Sequence, residues 1–257
     1  MEDLQKRFNL HASDYDRYAV PTLSPLADLL LEQIGMNEAM RVLDLCTGTG
    51  LLLCKLADLF PSALMVVGAD LSEGMLQVAR TKAKDNPRAS FTAMDAELLG
   101  FTSRSFSLIT LQFGLGYLDP EKSLREIFRL LEPGGLAAIQ AYDTSEAATV
   151  PPYRRLTKLF AYILNKYSTR TPSPELEQTR KKMSGSSERD RNMTQQTEKS
   201  LKELAQGIGF PDVESRSLTA QFQYADIETF LNSMLTGCTS SSIYYRQEIE
   251  EMASEAA

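Results

Sequence analysis

The chain has 257 residues, and 27 Lys and Arg against 34 Asp and Glu give a formal charge of −7. That length fits one large domain or a domain with a cap, and the acidic balance disfavours a general binder of phosphate backbones. With 43% hydrophobic and 24% charged residues the chain is not disordered throughout, and its longest apolar runs, such as 63–69, fall far short of the ~20 residues that span a bilayer.

The first predicted element is a helix with Leu26, Leu29, Leu30 and Ile34 on one face. A buried strand at 41–45 runs into a glycine-containing turn, then a helix carrying Leu52, Leu56 and Leu59. A strand at 65–69 follows, then Ser72 as the cap of a helix with Met75, Leu76, Ala79 and Ala83. Short apolar runs at 90–94 and 108–111 read as the next strands. Asp119-Pro120-Glu121 opens a helix with Leu124, Ile127, Phe128 and Leu131 in one stripe, Pro133-Gly134-Gly135 stops it, and a fifth strand covers 136–141.

After Tyr142 the alternation breaks. Pro151-Pro152 precedes an apolar helix with Leu156, Leu159, Phe160 and Ile163, and 168–193 is polar and charged, a composition that buries little surface. A helical stripe returns at Leu201, Leu204, Ala205 and Ile208. Runs at 213–218 and 220–224 suit two late strands, and Asp226 suits the cap of a last helix. The expected architecture is α/β: a Rossmann-like, doubly wound, mainly parallel sheet with a late antiparallel strand and an inserted helical lid. It divides into an N-terminal cover (1–35), a binding core (36–144), a lid (145–195) and C-terminal helices and last strands (196–257).

The turn 46–50, Cys46-Thr47-Gly48-Thr49-Gly50, carries the most information. Glycines there let backbone approach a ligand. A triphosphate loop needs Gly-Lys-Ser/Thr, and here Leu51 follows Gly50. A dinucleotide turn needs Gly or Ala where this chain has Leu53, which weakens that reading without removing it. S-adenosylmethionine, with an ammonium, a sulfonium and ribose hydroxyls, asks instead for carboxylates beside backbone donors. Asp44 ends the first strand, Asp70 the second, 20 residues after Gly50, and Asp95 follows the third. Strand ends of this kind line the ligand crevice of an open parallel sheet.

As an ordered set, 44–50, Gly68-Ala69-Asp70-Leu71-Ser72, Met94-Asp95-Ala96, 106–118 and Glu132-Pro133-Gly134-Gly135 resemble the class I S-adenosylmethionine-dependent methyltransferase family. Phe113-Gly114-Leu115 is similar to its small-molecule branch, which includes the ubiquinone/menaquinone-biosynthesis methyltransferases. The resemblance implies S-adenosylmethionine as cofactor and a small-molecule acceptor. It places Asp44, Cys46, Thr47, Gly48 and Gly50 at the methionine moiety, Asp70 at the ribose, Leu71, Asp95 and Ala96 at the adenine, and Gln112 at the methionine end. Tyr15, in the cover segment 8–19, is implied to close over the cofactor. Cys46 stands where the family has its first motif glycine, and Gly116-Tyr117 replace its frequent paired histidines.

No catalytic base is evident. His11, Tyr117 and Tyr142 are weak candidates, each with a plain alternative as a surface or packed side chain. The single histidine excludes a multi-histidine metal centre, and Cys46, Cys54 and Cys238 form neither a disulfide framework nor a zinc set, so no metal is expected. The 1–7 segment lacks the apolar stretch of a signal peptide. A cytoplasmic chain with no nucleic-acid partner and no membrane insertion is expected. Two other functions stay open: a nicotinamide-dependent oxidoreductase, and a cofactor-binding regulatory protein without turnover.

Overall fold

The computed structural model describes residues 2–34, 40–141 and 198–216. Two helices open it, α1 (Glu2–Asp14) and α2 (Val20–Leu31), joined by a π-helical turn, Tyr15–Ala19. Then come β1 (Arg41–Leu45), α3 (Leu51–Leu59), β2 (Met65–Asp70), α4 (Glu73–Lys82), β3 (Ala89–Ala93) and β4 (Phe106–Gln112). A 3-10 turn (Leu115–Tyr117), α5 (Pro120–Leu130), β5 (Leu131–Gln140) and α6 (Glu198–Ile208) complete the described elements.

The sheet has the order β3-β2-β1-β4-β5, and every pairing is parallel. The chain winds outward from β1 through β2 to β3, then returns to place β4 on the other side of β1. The β1–β4 boundary is therefore the switch point at which such sheets hold ligands. Side-chain alternation divides the core. Leu43, Leu45, Ile109 and Leu111 pack with α5 residues Leu124, Ile127 and Leu130, whereas Val42, Val66 and Leu108 pack with α2 and α3 through Ala27, Leu30, Leu52 and Leu56.

Both expected caps form. Ser72 Oγ accepts from Met75 N at 3.2 Å, and Asp119 Oδ1 accepts from Glu121 N and Lys122 N at 3.0 and 3.2 Å with Pro120 in the first turn. One boundary differs from expectation. Helix α5 ends at Leu130, β5 starts at once, and the register jumps from Phe106↔Leu131 to Leu108↔Leu136. Glu132–Gly135 is thus an excursion within the strand, with Gly134 at φ 80°, rather than the helix stop that Pro-Gly-Gly suggested. Phe128, expected in the buried stripe of α5, is exposed at 42% and meets the Phe210 ring at 5.0 Å.

Of the expected late strands, 213–216 lie among the described residues and form no strand there. The lid at 145–195, Tyr142, Cys238 and the helix after Asp226 lie outside the described residues.

Candidate functional site

The site is built on one rung of the sheet. Asp44 is in register with Gly68 on β2 and Thr110 on β4. Its carboxylate is buried, accepting from Thr47 Oγ1 at 2.6 Å and Thr110 Oγ1 at 2.7 Å. Desolvation outweighs these two bonds, and with the neighbouring Asp70 charge it pushes the Asp44 carboxyl up to about 6. The fixed pair of hydroxyl donors orients the group rather than leaving it free to act on a substrate proton.

Two absent side chains let the turn after β1 pack closely on β2 and on the loop after β4. A Cβ at Gly68 would stand 2.6 Å from Leu53 Cδ1 and 2.9 Å from Thr47 Cγ2. A Cβ at Gly114 would stand 2.5 Å from Cys46 Cβ. Cys46 itself has φ 52°, and Gly48 and Gly50 have φ 55° and 78°. A left-handed φ at Cys46 accounts physically for a glycine preference at this position. Burial and the nearby Asp70, Asp44 and Asp95 carboxylates push its thiol well up, so it is a packed thiol and not a nucleophile.

The turn's N–H groups are largely spent within the protein. Thr47 N donates to Ala69 O at 3.1 Å and Gly50 N to Thr47 O at 2.9 Å. Gly48 N donates to Asp70 Oδ2 at 2.9 Å, and Ser72 N donates to Asp70 Oδ1 at 2.8 Å. Asp70 is half-buried, and desolvation raises its pKa against those two bonds and a further one from the Leu71 backbone. Of the carboxylate's roughly four acceptor sites, one remains for a hydroxyl donor.

A small cleft, partly open to solvent, lies over the turn. Its floor is Asp44, Cys46, Thr47, Gly48 and Thr49 with Leu51 and Leu52 of α3, its roof is Tyr15, Val20 and Leu23 from the N-terminal helices, and Gln112 and Phe113 close the β4 side. Asp44 is the only charged residue on this wall among the described residues. Gln112 is held at the sheet end, donating through Nε2 to Gln140 Oε1 at 2.9 Å.

The structure thus gathers Tyr15, Asp44, Cys46, Thr47, Gly48 and Gln112 around one cleft. Gly50 instead caps α3, with Cys54 N donating to its carbonyl at 3.0 Å. Asp70, Leu71, Asp95 and Ala96 do not line this cleft and lie at or just after the ends of β2 and β3. Asp95 Oδ1 accepts from Glu97 N at 2.9 Å, a turn role, and Ala96 is buried in the core.

Of the candidate bases, Tyr117 packs edge-on against Phe8 at 5.5 Å, and His11 lies half-buried on α1 and does not line the cleft. Sequence reasoning passed over Thr49 and Thr110. Thr49 Oγ1 is buried in the cleft wall without a hydrogen-bond partner among the described residues. Thr110 is fully buried on a strand, and nothing in its local sequence signals that it faces Asp44 across two strands. No group of His, Cys, Asp and Glu among the described residues forms a metal set.

The profile of the methyltransferase domain family matches residues 42–135. The chain is 37% identical over 155 residues to a demethylmenaquinone methyltransferase of Clavibacter sepedonicus, covering 58% of this chain and 60% of that protein. It is 32% identical over 166 residues to a demethylmenaquinone methyltransferase of Lactococcus lactis subsp. lactis, covering 62% and 65%. The chain therefore spans less than two thirds of the length of these curated relatives. Its fold is similar to that of phosphoethanolamine N-methyltransferase 2 of Haemonchus contortus, with a TM-score of 0.53, 23% identity, and coverage of 74% of this chain and 38% of that one. Residues 42–135, from β1 into β5 of this β3-β2-β1-β4-β5 parallel sheet, are thus similar to the methyltransferase domain family in sequence and in fold.

Proposed function

We propose that the protein moves a methyl group from S-adenosylmethionine to a small-molecule acceptor, and that the cleft over the β1 turn holds the methionine end of the donor. The observation that carries this reading is the charge of the wall. A cleft whose charged wall residue is a buried carboxylate favours a ligand with an ammonium and a sulfonium. It opposes the pyrophosphate of a nicotinamide cofactor, all the more because the N–H groups of Thr47, Gly48 and Gly50 are already bonded within the protein.

The residues present fit the donor. Asp44 faces its ammonium, the unpartnered Thr49 hydroxyl supplies a donor to its carboxylate, and Tyr15 covers it. Asp70 offers its remaining lone pair to a ribose hydroxyl. Leu71, Asp95 and Ala96 lie on the adenine side, and Gln112 at the methionine end. When bound, the donor supplies an already activated methyl group on a positively charged sulfur. The protein's part is alignment and exclusion of water, each able to lower the barrier by several kcal/mol. A base is required only for a poorly ionised nucleophile, so the packing of Tyr117 and the position of His11 are no obstacle.

The relatives' names point to a quinol ring as the acceptor to try first. The test is calorimetric titration with S-adenosylmethionine and with NADH, followed by mass spectrometry of a turnover mixture containing a demethylated menaquinol or a small-molecule extract and methyl-labelled donor. Binding of S-adenosylmethionine with labelled product supports the reading. Binding of NADH instead of S-adenosylmethionine overturns it.

A further inference from the structure

Helix α1 does more than lie over the domain: it is fastened to both sides of the crevice. On the β2 side, Gln5 Nε2 donates to Leu71 O at 2.8 Å. Asn9 Oδ1 accepts from Ser72 Oγ at 2.7 Å and from Gly74 N at 2.8 Å. On the β4 side, Phe8 meets Tyr117 at 5.5 Å. The turn that follows, which brings Tyr15 to the cleft, is tied to the end of α4 by Lys82 Nζ and Asp16 Oδ1 at 2.7 Å.

The closeness of α1 to α4 depends on one missing side chain. A Cβ at Gly74 would lie 2.7 Å from both Asn9 Cα and Asn9 O. These are backbone atoms and cannot swing aside, so any larger residue at position 74 must lift the helix. Ser72, 1% exposed, joins this contact to the site. Its hydroxyl donates to Asn9, and its backbone N–H donates to Asp70 Oδ1, while Asp70 Oδ2 holds Gly48 N. A continuous chain of hydrogen bonds thus runs from Asn9 through Ser72 and Asp70 to the turn under the cleft.

We propose that Asn9 and the glycine at 74 form a latch that fastens α1 across the crevice, and that opening this latch limits release of the bound S-adenosyl compound. Asn9 is a positioning residue here, acting through Ser72 on Asp70 and through α1 on Tyr15. This rests on the reading of the cleft as the S-adenosylmethionine site.

Chemistry dictates which variants discriminate. Both bonds to Asn9 use Oδ1 as acceptor, so Asn9→Asp keeps the latch and adds a negative charge at the positive end of α4. Asn9→Ala leaves a buried hydroxyl and an N–H without that partner. Gly74→Ala improves helix propensity in α4, so it displaces α1 without weakening the helix beneath it.

The test uses the full chain. Stopped-flow release of S-adenosylmethionine is measured alongside amide exchange of residues 4–14 and thermal midpoints. The expected result is about three- to tenfold faster release in Asn9→Ala and Gly74→Ala, the scale of one lost hydrogen bond. Exchange in α1 is faster in both, and Asn9→Asp behaves like the wild type in both readouts. Faster exchange in α1 with unchanged release overturns the latch, because α1 is then only a structural cover. Loss of the effect's chemical pattern, with Asn9→Asp behaving as Asn9→Ala, also overturns it. Failure of the wild type to bind S-adenosylmethionine overturns the site reading and the latch together, whereas normal wild-type binding with unaltered variants overturns the latch alone. Should Gly74→Ala fail to fold, the Asn9 pair decides.

Discussion

Asp44 and Thr49 are two polar residues in one wall with opposite electrostatic problems. Asp44 is a carboxylate whose folded pKa, about 6, lies above its ordinary 3.8. A raised acid pKa means that the folded state holds the proton more tightly than the unfolded state. The stability that comes from protonated Asp44 is complete below about pH 4 and is lost as pH rises through about 6. The difference corresponds to at most roughly 3 kcal/mol. Asp44→Asn keeps an amide able to bond both threonines and removes this loss. Urea unfolding at pH 4 and pH 7.5 should show a variant as stable as the wild type at the lower pH and about 1–3 kcal/mol more stable at the higher. Parallel pH slopes for the two proteins would show that Asp44 does not carry the penalty. Thr49 has the reverse signature: its buried hydroxyl has no partner among the described residues. Thr49→Val removes that unsatisfied group, so stability should hold or rise by about 1 kcal/mol, while affinity for S-adenosylmethionine falls about five- to tenfold. Equal affinity in calorimetry would assign the hydroxyl no ligand.

At the scale of elements, the loops after β1 and β4 are coupled through a contact that neither sequence segment shows alone. Gly114 has an ordinary helical φ of −74°, so its glycine is not required by the backbone. It is required by Cys46, whose Cβ and Sγ stand 2.5 and 2.6 Å from where a Cβ would be. Gly114→Ala should therefore destabilise by about 1–3 kcal/mol through overpacking. Cys46→Gly alone should be close to neutral: it relieves the φ 52° strain, loses a buried side chain and loosens the unfolded chain. The double variant should recover most of the Gly114→Ala loss, and a double-mutant cycle from thermal melts measures the coupling. Additive effects would mean that the two loops do not touch in solution. Strand and helix positions from β1 to α5 were legible from periodicity because each strand is short and bounded by turn residues, whereas the helix at Glu2–Asp14 was not expected. The caps Ser72 and Asp119 were legible because the backbone need they meet is local. The start of β5 was not. Pro133-Gly134-Gly135 reads as a stop, and only pairing with β4 shows that the chain is already in the sheet at Leu131.

For the whole molecule, ligand linkage gives the broadest check. A ligand that binds only the folded domain at a hundred times its dissociation constant stabilises it by about 2.7 kcal/mol. S-adenosylmethionine at that excess should raise the thermal midpoint by several degrees, and NADH at the same concentration should not. A shift with NADH alone would return the nicotinamide reading to first place. The acidic wall makes the expectation sign-specific, since a cationic ligand relieves the strain of the buried Asp44 carboxylate and an anionic ligand increases it.

The order of carboxylates at successive strand ends, the glycine turn and the parallel α/β alternation were determined by sequence alone, because each is a local pattern whose meaning survives without knowing neighbours. Tertiary structure decided which of those residues share a wall. It brought Asp44 to Thr110 across two strands and left Asp70 to bind Gly48 N from outside the cleft. It set Tyr117, a candidate base, edge-on against Phe8. It made Gly74 a docking point for Asn9, 65 residues away. Contacts of that separation depend on how helices settle on the sheet, and no spacing along the chain encodes them.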